Sequence, residues 1–239
     1  MSTSSREILG QHLILGLKST QVNKTVRSFL DTYKPSGVIL FARNLVSPEQ
    51  TAQLNRELCS ELSPNPFISM DEEGGPVDRL KKILPPLPSA ESIAKTGNPS
   101  FANLQGDLIG CAFRLLGFNL NFAPVLDIGY SASKRILLKR TYGNNQNEVS
   151  KFANSFIRGL EKHQILSCGK HFPGLGTARE DTHSRLPLIV RSMVNLWQKD
   201  LIPYRRLLEH LPMVLVGHAC YKAYDFHAPI PASVSTNII

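Results

Sequence analysis

Short apolar segments that alternate with helical patterns constrain the fold of this chain more than any other feature of its sequence. Most of these segments are continuously apolar, as strands are when helices cover both faces of a parallel sheet. The alternation therefore predicts an α/β domain with a parallel sheet. We predict six strands, over residues Leu13–Leu17, Gly37–Phe41, Phe67–Met70, Asn119–Leu126, Ile165–Cys168 and Met213–Val216.

Four helices are predicted between the strands. Ser47 and Gln50 form a capping box, Gly117 stops the helix that Asn98 and Pro99 open, and Pro203 is expected to kink or split the last helix. The residues that share one face are Leu54, Leu58 and Leu62 in the first helix, Leu104, Leu108 and Leu115 in the second, and Val149, Phe152, Phe156 and Leu160 in the third, whereas the fourth runs from about Val194 to Leu211.

Polar residues at the ends of the predicted strands distinguish two folds that share this alternation. An open doubly wound sheet would bring only a few of them together, near its switch point. A (β/α)8 barrel collects the ends of all its strands at one mouth, which is the usual active-site face. Because we find no linker or internal repeat, we predict one TIM-like (β/α)8 barrel domain over residues 1–239, with these residues at its mouth: Asp71, Asp127, Lys170, His171 and His218.

The charge of the chain does not indicate a nucleic-acid partner. Its net charge is +8, but the basic residues are scattered in pairs such as Lys81-Lys82 and Arg205-Arg206, and no DNA- or RNA-recognition motif is present. No apolar run approaches the roughly 20 residues that span a bilayer. We therefore predict a globular protein with neither a nucleic-acid nor a membrane partner.

The cysteines and the N-terminus bear on the compartment. The four cysteines are widely spaced and form no CxxC pair: Cys59, Cys111, Cys168 and Cys220. This pattern is typical of buried, reduced thiols in a cytoplasmic protein. The first residues contain no signal peptide, which also predicts a cytoplasmic location.

Asp71 opens a segment of three carboxylates and two glycines directly after a predicted strand. Carboxylates accept hydrogen bonds from vicinal sugar hydroxyls or hold a metal ion, and glycines let the backbone turn sharply beside a ligand. Arg79 follows and could pair with one of the acids. A solvated acidic turn with a structural arginine pair is the alternative.

Basic residues mark two further positions. Arg140 presents a fork of donors to oxygen-rich ligands, although a lone arginine is more often a surface residue. Lys170 and His171 follow a predicted strand and precede a turn that contains Pro173 and Gly174. Both can reach a ligand if the strand is ending there, whereas a buried histidine in the core is the alternative.

Asp181 and His183 form the sharpest chemical signal. In an extended segment, residues i and i+2 project to the same side, so the carboxylate can accept a hydrogen bond from one ring nitrogen of the histidine. The other nitrogen is then free for proton transfer near neutral pH. A surface Asp–His pair, or a metal site that uses His171 with these two residues in a metal-dependent hydrolase, are the alternatives.

The chain resembles family 3 glycoside hydrolases of the bacterial β-N-acetylglucosaminidase type. The resemblance spans nearly the whole chain in the family's order. It is carried by Met70-Asp71-Glu72-Glu73-Gly74-Gly75 with Arg79-Leu80, Asn121-Phe122-Ala123-Pro124-Val125-Leu126-Asp127, Lys139-Arg140-Thr141-Tyr142-Gly143, Lys170-His171-Phe172-Pro173-Gly174 through Asp181-Thr182-His183, and Gly37-Val38-Ile39-Leu40-Phe41-Ala42-Arg43-Asn44.

The resemblance implies a TIM-like barrel that removes terminal β-linked N-acetylglucosamine with retention of configuration, without a cofactor, in cytoplasmic recycling of peptidoglycan fragments. It implies that His183 is the general acid/base and that Asp181 supports it. The implied sugar-binding residues are Asp71, Arg79, Arg140, Lys170 and His171.

Two departures from the family pattern stand out. Leu175 lies where relatives commonly have His or Asn. A retaining mechanism also needs a carboxylate nucleophile, and in the family this Asp ends the seventh strand. Since we predict only about six βα units, we expect a barrel that is incomplete at the C-terminus and lacks the nucleophile. A degenerate sugar-binding or inactive fragment is the alternative function.

Overall fold

The computed structural model of the protein describes residues 5–62, 64–180 and 186–239. A six-stranded parallel sheet has the order β1-β2-β3-β4-β5-β7, and two further strands, β6 and β8, pair in parallel beside it. The strands are β1 Ile14–Gly16, β2 Gly37–Leu40, β3 Phe67–Met70, β4 Leu120–Asn121, β5 Leu166–Phe172, β6 Leu188–Ile189, β7 Met213–Val216 and β8 Cys220–Tyr221.

The strand order decides between the two predicted folds. In a doubly wound sheet, the spatial order of the strands reverses at a switch point. In the large sheet, the strands lie side by side in the order in which they occur along the chain, and the described residues show no such reversal. An observed strand lies within or overlaps each of the six predicted ones, but the predicted strand Asn119–Leu126 is reduced to Leu120–Asn121, and β6 and β8 were not predicted. The α/β prediction is confirmed, as a curled parallel sheet that forms part of a TIM-like barrel.

The structure shows the predicted helix-capping interactions at Ser47 and Gly117. The Ser47 hydroxyl accepts a hydrogen bond from the Gln50 amide, and Gly117 ends its helix with a left-handed φ of 86°. The helices are α1 Ser5–Gly10, α2 Lys24–Tyr33, α3 Pro48–Glu61, α4 Ala90–Lys95, α5 Ser100–Leu116, α6 Lys134–Leu137, α7 Gln146–Glu161, α8 Met193–Asn195 and α9 Ile202–Arg206, with a π-helical stretch Leu196–Asp200 and short 3₁₀ turns at Ala42–Asn44, Leu80–Lys82, Ser131–Ser133, Leu208–His210 and Ala232–Val234. The predicted fourth helix is thus split into several short pieces.

Helices α5 and α7 pack closely because glycines face each other across the contact. A Cβ atom on Gly106 would lie 2.1 Å from the carbonyl oxygen of Phe156, and one on Gly159 would lie 2.3 Å from that of Asn103. Only residues without a side chain allow the two backbones to approach this closely.

Three details of the sequence prediction are corrected. Leu104, Leu108 and Leu115 do share one face of α5, but that face is exposed, and Ile109 and Phe113 lie on the buried face. Strand β5 extends to Phe172, so Lys170 and His171 lie within it and not after it. Of the four cysteines, all free, Cys168 and Cys220 are buried as expected, whereas Cys59 and Cys111 are exposed.

Two apolar clusters support the site. The larger one fills the space between the sheet and its helices. The smaller one contains Leu175, Ile189 and Tyr221 and lies under the segment that follows β5, where the Tyr221 hydroxyl donates a hydrogen bond to the Gly174 carbonyl (2.9 Å). Among the described helices, we find none that is long and apolar enough to cross a membrane.

Candidate active site

Four charged side chains meet at the carboxyl ends of β3 and β5. Lys170 Nζ lies 2.6 Å from Asp71 Oδ1 and 2.6 Å from Glu73 Oε1. Arg140 holds the same glutamate with two hydrogen bonds, from Nε to Oε2 (2.7 Å) and from Nη2 to Oε1 (2.8 Å). This bidentate geometry fixes the guanidinium plane. The structure therefore brings together three of the predicted site residues: Arg140 and Lys170 share Glu73, and Lys170 also contacts Asp71.

Because this charge cluster is largely buried, its charged groups strongly affect one another's pKa values. Only 2% of the Lys170 side chain is exposed, against 21% for Asp71. Burial alone would raise the pKa of Glu73, but Lys170 and Arg140 outweigh it and lower that pKa to about 2. Burial would likewise lower the pKa of Lys170, yet Glu73 and Asp71 raise it. Glu73, Lys170 and Arg140 are therefore charged at neutral pH, and the partly exposed Asp71 presents the cluster to the mouth.

His171 is oriented by a buried aspartate. Its Nδ1 lies 2.6 Å from Asp127 Oδ2, and its main-chain amide donates to the same oxygen (3.2 Å). The other oxygen of Asp127 accepts the amide of Leu175 (2.6 Å). The register of β5 against β7 shifts between Lys170 and Phe172, and such a bulge re-aims side chains at the end of a strand. Lys170 and His171 can therefore both contribute to one mouth.

Arg79 reaches the site through its main chain, and within the described residues it forms no ion pair with the acids of residues 71–73, the pairing that the sequence left open. Its amide donates to Glu72 Oε2 (2.7 Å), which also accepts the Leu80 amide (2.9 Å). Burial raises the pKa of Glu72 to about 8 even though these amides and that of Gly74 act to lower it. The Nε of Arg79 is buried and has no partner within the described part of the chain.

Three functional contributions are not evident in the sequence. Glu72 and Glu73 belong to one acidic segment, and nothing in the local pattern shows that Glu73 contacts Arg140 and Lys170 whereas Glu72 accepts main-chain amides. Asp127 was expected at the mouth, but its contact with His171 was not. The position of Asp127 after a predicted strand places it at the mouth, but it does not identify His171 as its partner.

Other predicted residues lie apart from this cluster or outside the description. His218 is exposed, and its Nδ1 contacts Ser233 Oγ at 2.5 Å instead of joining the cluster. Asp181 and His183 fall in residues 181–185, outside the described residues. The described residues contain no group of three or more His, Cys, Asp or Glu side chains that could hold a metal ion.

The chain that carries this cluster matches the model of a known protein family. The model of the glycosyl hydrolase family 3 N-terminal domain matches residues 6–239. The chain belongs to glycoside hydrolase family 3. As a family 3 domain, it carries its charged cluster at the strand ends where barrels of this kind place their active sites.

Relatives of this family 3 domain are named as hexosaminidases. A β-hexosaminidase of Alkalilimnicola ehrlichii is 33% identical over 230 residues, which cover 93% of this chain and 65% of that protein. The chain thus spans a little less than two thirds of that relative. A family 3 β-N-acetylglucosaminidase from Paenibacillus sp. strain FPU-7 superposes with a TM-score of 0.94 at 29% identity, covering 100% of this chain and 46% of that one.

A third relative has been solved with a sugar derivative. NagZ from Neisseria gonorrhoeae in complex with N-trifluoroacetyl-D-glucosamine has a TM-score of 0.83 and 29% identity to this chain, covering 92% of this chain and 66% of that one.

Proposed function

We propose that this family 3 domain binds a terminal β-linked N-acetylglucosamine residue and serves its hydrolytic removal with retention of configuration. The observation that carries the proposal is the charge cluster of Asp71, Glu73, Arg140 and Lys170 at the strand ends. The names of the β-hexosaminidase and β-N-acetylglucosaminidase relatives support the same reaction.

The sugar-binding part of the proposal rests on complementary hydrogen-bonding groups. Asp71 supplies a carboxylate acceptor, and Lys170 beside it supplies a charged donor, which suits adjacent hydroxyls of one ring. His171 engages Asp127 through Nδ1, which leaves Nε2 for a further hydroxyl. Arg79, whose buried Nε has no partner among the residues that the structure describes, offers another donor. A ligand that satisfies this nitrogen removes the cost of leaving it unpaired.

The proposed chemistry assigns proton transfer to His183, with Asp181 as its support. His183 donates a proton to the leaving oxygen while a carboxylate attacks the anomeric carbon and forms a glycosyl-enzyme. The same histidine, now unprotonated, takes a proton from the water that hydrolyses this intermediate. We assign the nucleophile to no residue within 1–239, and no step requires a metal or cofactor.

The proposed substrate is an oligosaccharide or muropeptide that ends in N-acetylglucosamine, and the proposed role is peptidoglycan recycling in the cytoplasm. The cysteine pattern supports this location.

Titration of the 239-residue protein with N-acetylglucosamine, followed by NMR, tests the binding part. We expect saturable binding that Lys170→Met weakens by at least about tenfold, whereas the exposed Lys151→Met leaves it unchanged. Absence of binding by the unmodified protein would overturn the sugar site. An aryl β-N-acetylglucosaminide tests the chemistry. Because we assign the nucleophile to no residue within 1–239, we expect no turnover at enzyme-like rates. Rapid turnover with retained configuration would overturn that statement and show that these residues supply the nucleophile.

A further inference from the structure

The outer face of α5 is apolar. Phe101, Leu104 and Leu108 are each about half exposed, Leu115 is 77% exposed, and Cys111 is exposed between them. Ile109 and Phe113, on the opposite side of the helix, are buried in the core. The exposed side chains therefore form a stripe that points away from the barrel, and we call these five residues the α5 stripe.

The two other long helices that cover the sheet show what such a face normally contains. The fully exposed positions of α7 are polar or charged: Asn147, Glu148, Lys151, Arg158 and Glu161. Those of α3 are Glu49, Gln53, Arg56, Cys59, Ser60 and Glu61. On α5, only Ser100 and Arg114 are both exposed and polar. A contiguous apolar face on one outer helix is a mark of a protein contact.

The spacing of the α5 stripe fits a helix partner. Its residues, at positions 101, 104, 108, 111 and 115, are separated alternately by three and four residues, which is the spacing of the a and d positions in helix pairs. Beside the N-terminal half of the stripe lies a groove of about 260 Å³ between α4 and α5, lined on its apolar walls by Leu87, Ile93, Phe101, Leu104 and Leu108. Leu115 protrudes at the other end of the stripe.

We propose that α5 pairs with α5 of a second copy of this chain, in antiparallel orientation about a twofold axis. An axis near Ile109 and Gly110 sets Leu108 against the partner's Cys111. It also brings Leu115 of each copy to the partner's Leu104, at the groove. A knob at one end of the stripe and a groove at the other make the surface complementary to itself, as a twofold contact requires.

The charges beside the stripe agree with this pairing. Arg114 is the one charged side chain of α5 that is exposed, and Asp107, which is partly buried, lies two turns before it on the flank of the stripe. Antiparallel pairing brings each Arg114 beside the Asp107 of the partner. Because Asp107 also contacts Lys162 and His163 in its own chain, the apolar stripe supplies most of the attraction.

Analytical ultracentrifugation of the 239-residue protein tests the proposal. We expect a monomer–dimer equilibrium in the micromolar range, with the dissociation constant raised at least about tenfold by Leu115→Lys and by Leu108→Lys. Leu208 is 74% exposed and lies in the turn Leu208–His210, outside the α5 stripe, so Leu208→Lys is the matched control and should leave the equilibrium unchanged. Circular dichroism melting checks that each variant is folded.

Three outcomes would overturn this interface: a monomer at every concentration, a dimer that both stripe variants leave intact, or a dimer that Leu208→Lys dissociates. The orientation has its own test in a background with Cys59→Ser and Cys111→Ser. A short bismaleimide should link Leu104→Cys chains to Leu115→Cys chains when the two are mixed. Cross-linking of Leu104→Cys chains to one another would contradict the antiparallel arrangement.

Discussion

Asp127 Oδ2 lies 2.6 Å from Nδ1 of His171, and the aspartate is fully buried where its strand has ended. The carboxylate accepts the ring N–H and the main-chain amide of the same histidine. It therefore fixes both the tautomer and the orientation of the imidazole, so that Nε2 is the nitrogen left for a ligand.

Replacing Asp127 should release this ring. In Asp127→Ala we expect ¹⁵N NMR of the His171 ring to show loss of the tautomer protonated at Nδ1, because its acceptor is gone. If His171 contacts the sugar, N-acetylglucosamine affinity should fall as much as in His171→Ala, and the double variant should lose little more, since both changes remove one interaction. An unaltered ring spectrum would contradict the orienting role.

Removing the negative charge of Glu73 should destabilise the fold. In Glu73→Gln, Arg140 and Lys170 lose the buried carboxylate that neutralises them. Breaking a buried ion pair from one side costs about 3–5 kcal/mol, and we expect a loss of this size in the free energy of unfolding measured with urea. Glu209 is exposed, so Glu209→Gln should change stability by less than about 0.5 kcal/mol. Equal stabilities of the two variants would contradict the importance of the cluster.

The same glutamate predicts a dependence of stability on acid. Its pKa is lowered from 4.5 to about 2 in the folded protein by Lys170 and Arg140, against the effect of burial. An acid whose folded pKa is depressed adds stability that is complete above its unfolded pKa and is lost as the pH falls through the folded value. The unfolding free energy of the natural protein should therefore fall between about pH 4.5 and 2.

Comparison with Glu73→Gln isolates this contribution, because the variant carries no titrating group at position 73. The stability difference between the two proteins should shrink over that acid range. A difference that stays constant from neutral pH to pH 2 would show that Glu73 does not carry the effect. The measurement is urea unfolding followed by circular dichroism at a series of pH values.

The contact between α5 and α7 should not tolerate a methyl group at Gly106. The added Cβ would lie 2.1 Å from the carbonyl oxygen of Phe156, so the helices must move apart. Overpacking of this kind costs about 1–3 kcal/mol, which thermal or urea unfolding of Gly106→Ala will detect. Gly16 is exposed, and its nearest neighbour would be 3.4 Å from a Cβ, so Gly16→Ala should destabilise the protein much less.

Local patterns predicted the elements of this fold well. The apolar runs located the six strands of the large sheet, though not β6 and β8, and the capping residues Ser47 and Gly117 located helix ends, because hydrophobic period and capping are properties of neighbouring residues. The same reasoning assigned the leucines of α5 to one face without identifying which face meets the core. Ala102, Gly106 and Gly110, which look neutral in the sequence, are among the residues that α5 buries, because closely packed helices need small side chains there.

The sequence by itself determined that this is a parallel α/β chain with charged residues at its strand ends, and its motifs indicated the family. Only the tertiary structure decided which of those charges meet. Arg140 is 67 residues from Glu73, and Lys170 is 99 residues from Asp71. No local pattern encodes such partners, because they depend on how the sheet curls and on which side chains are desolvated together.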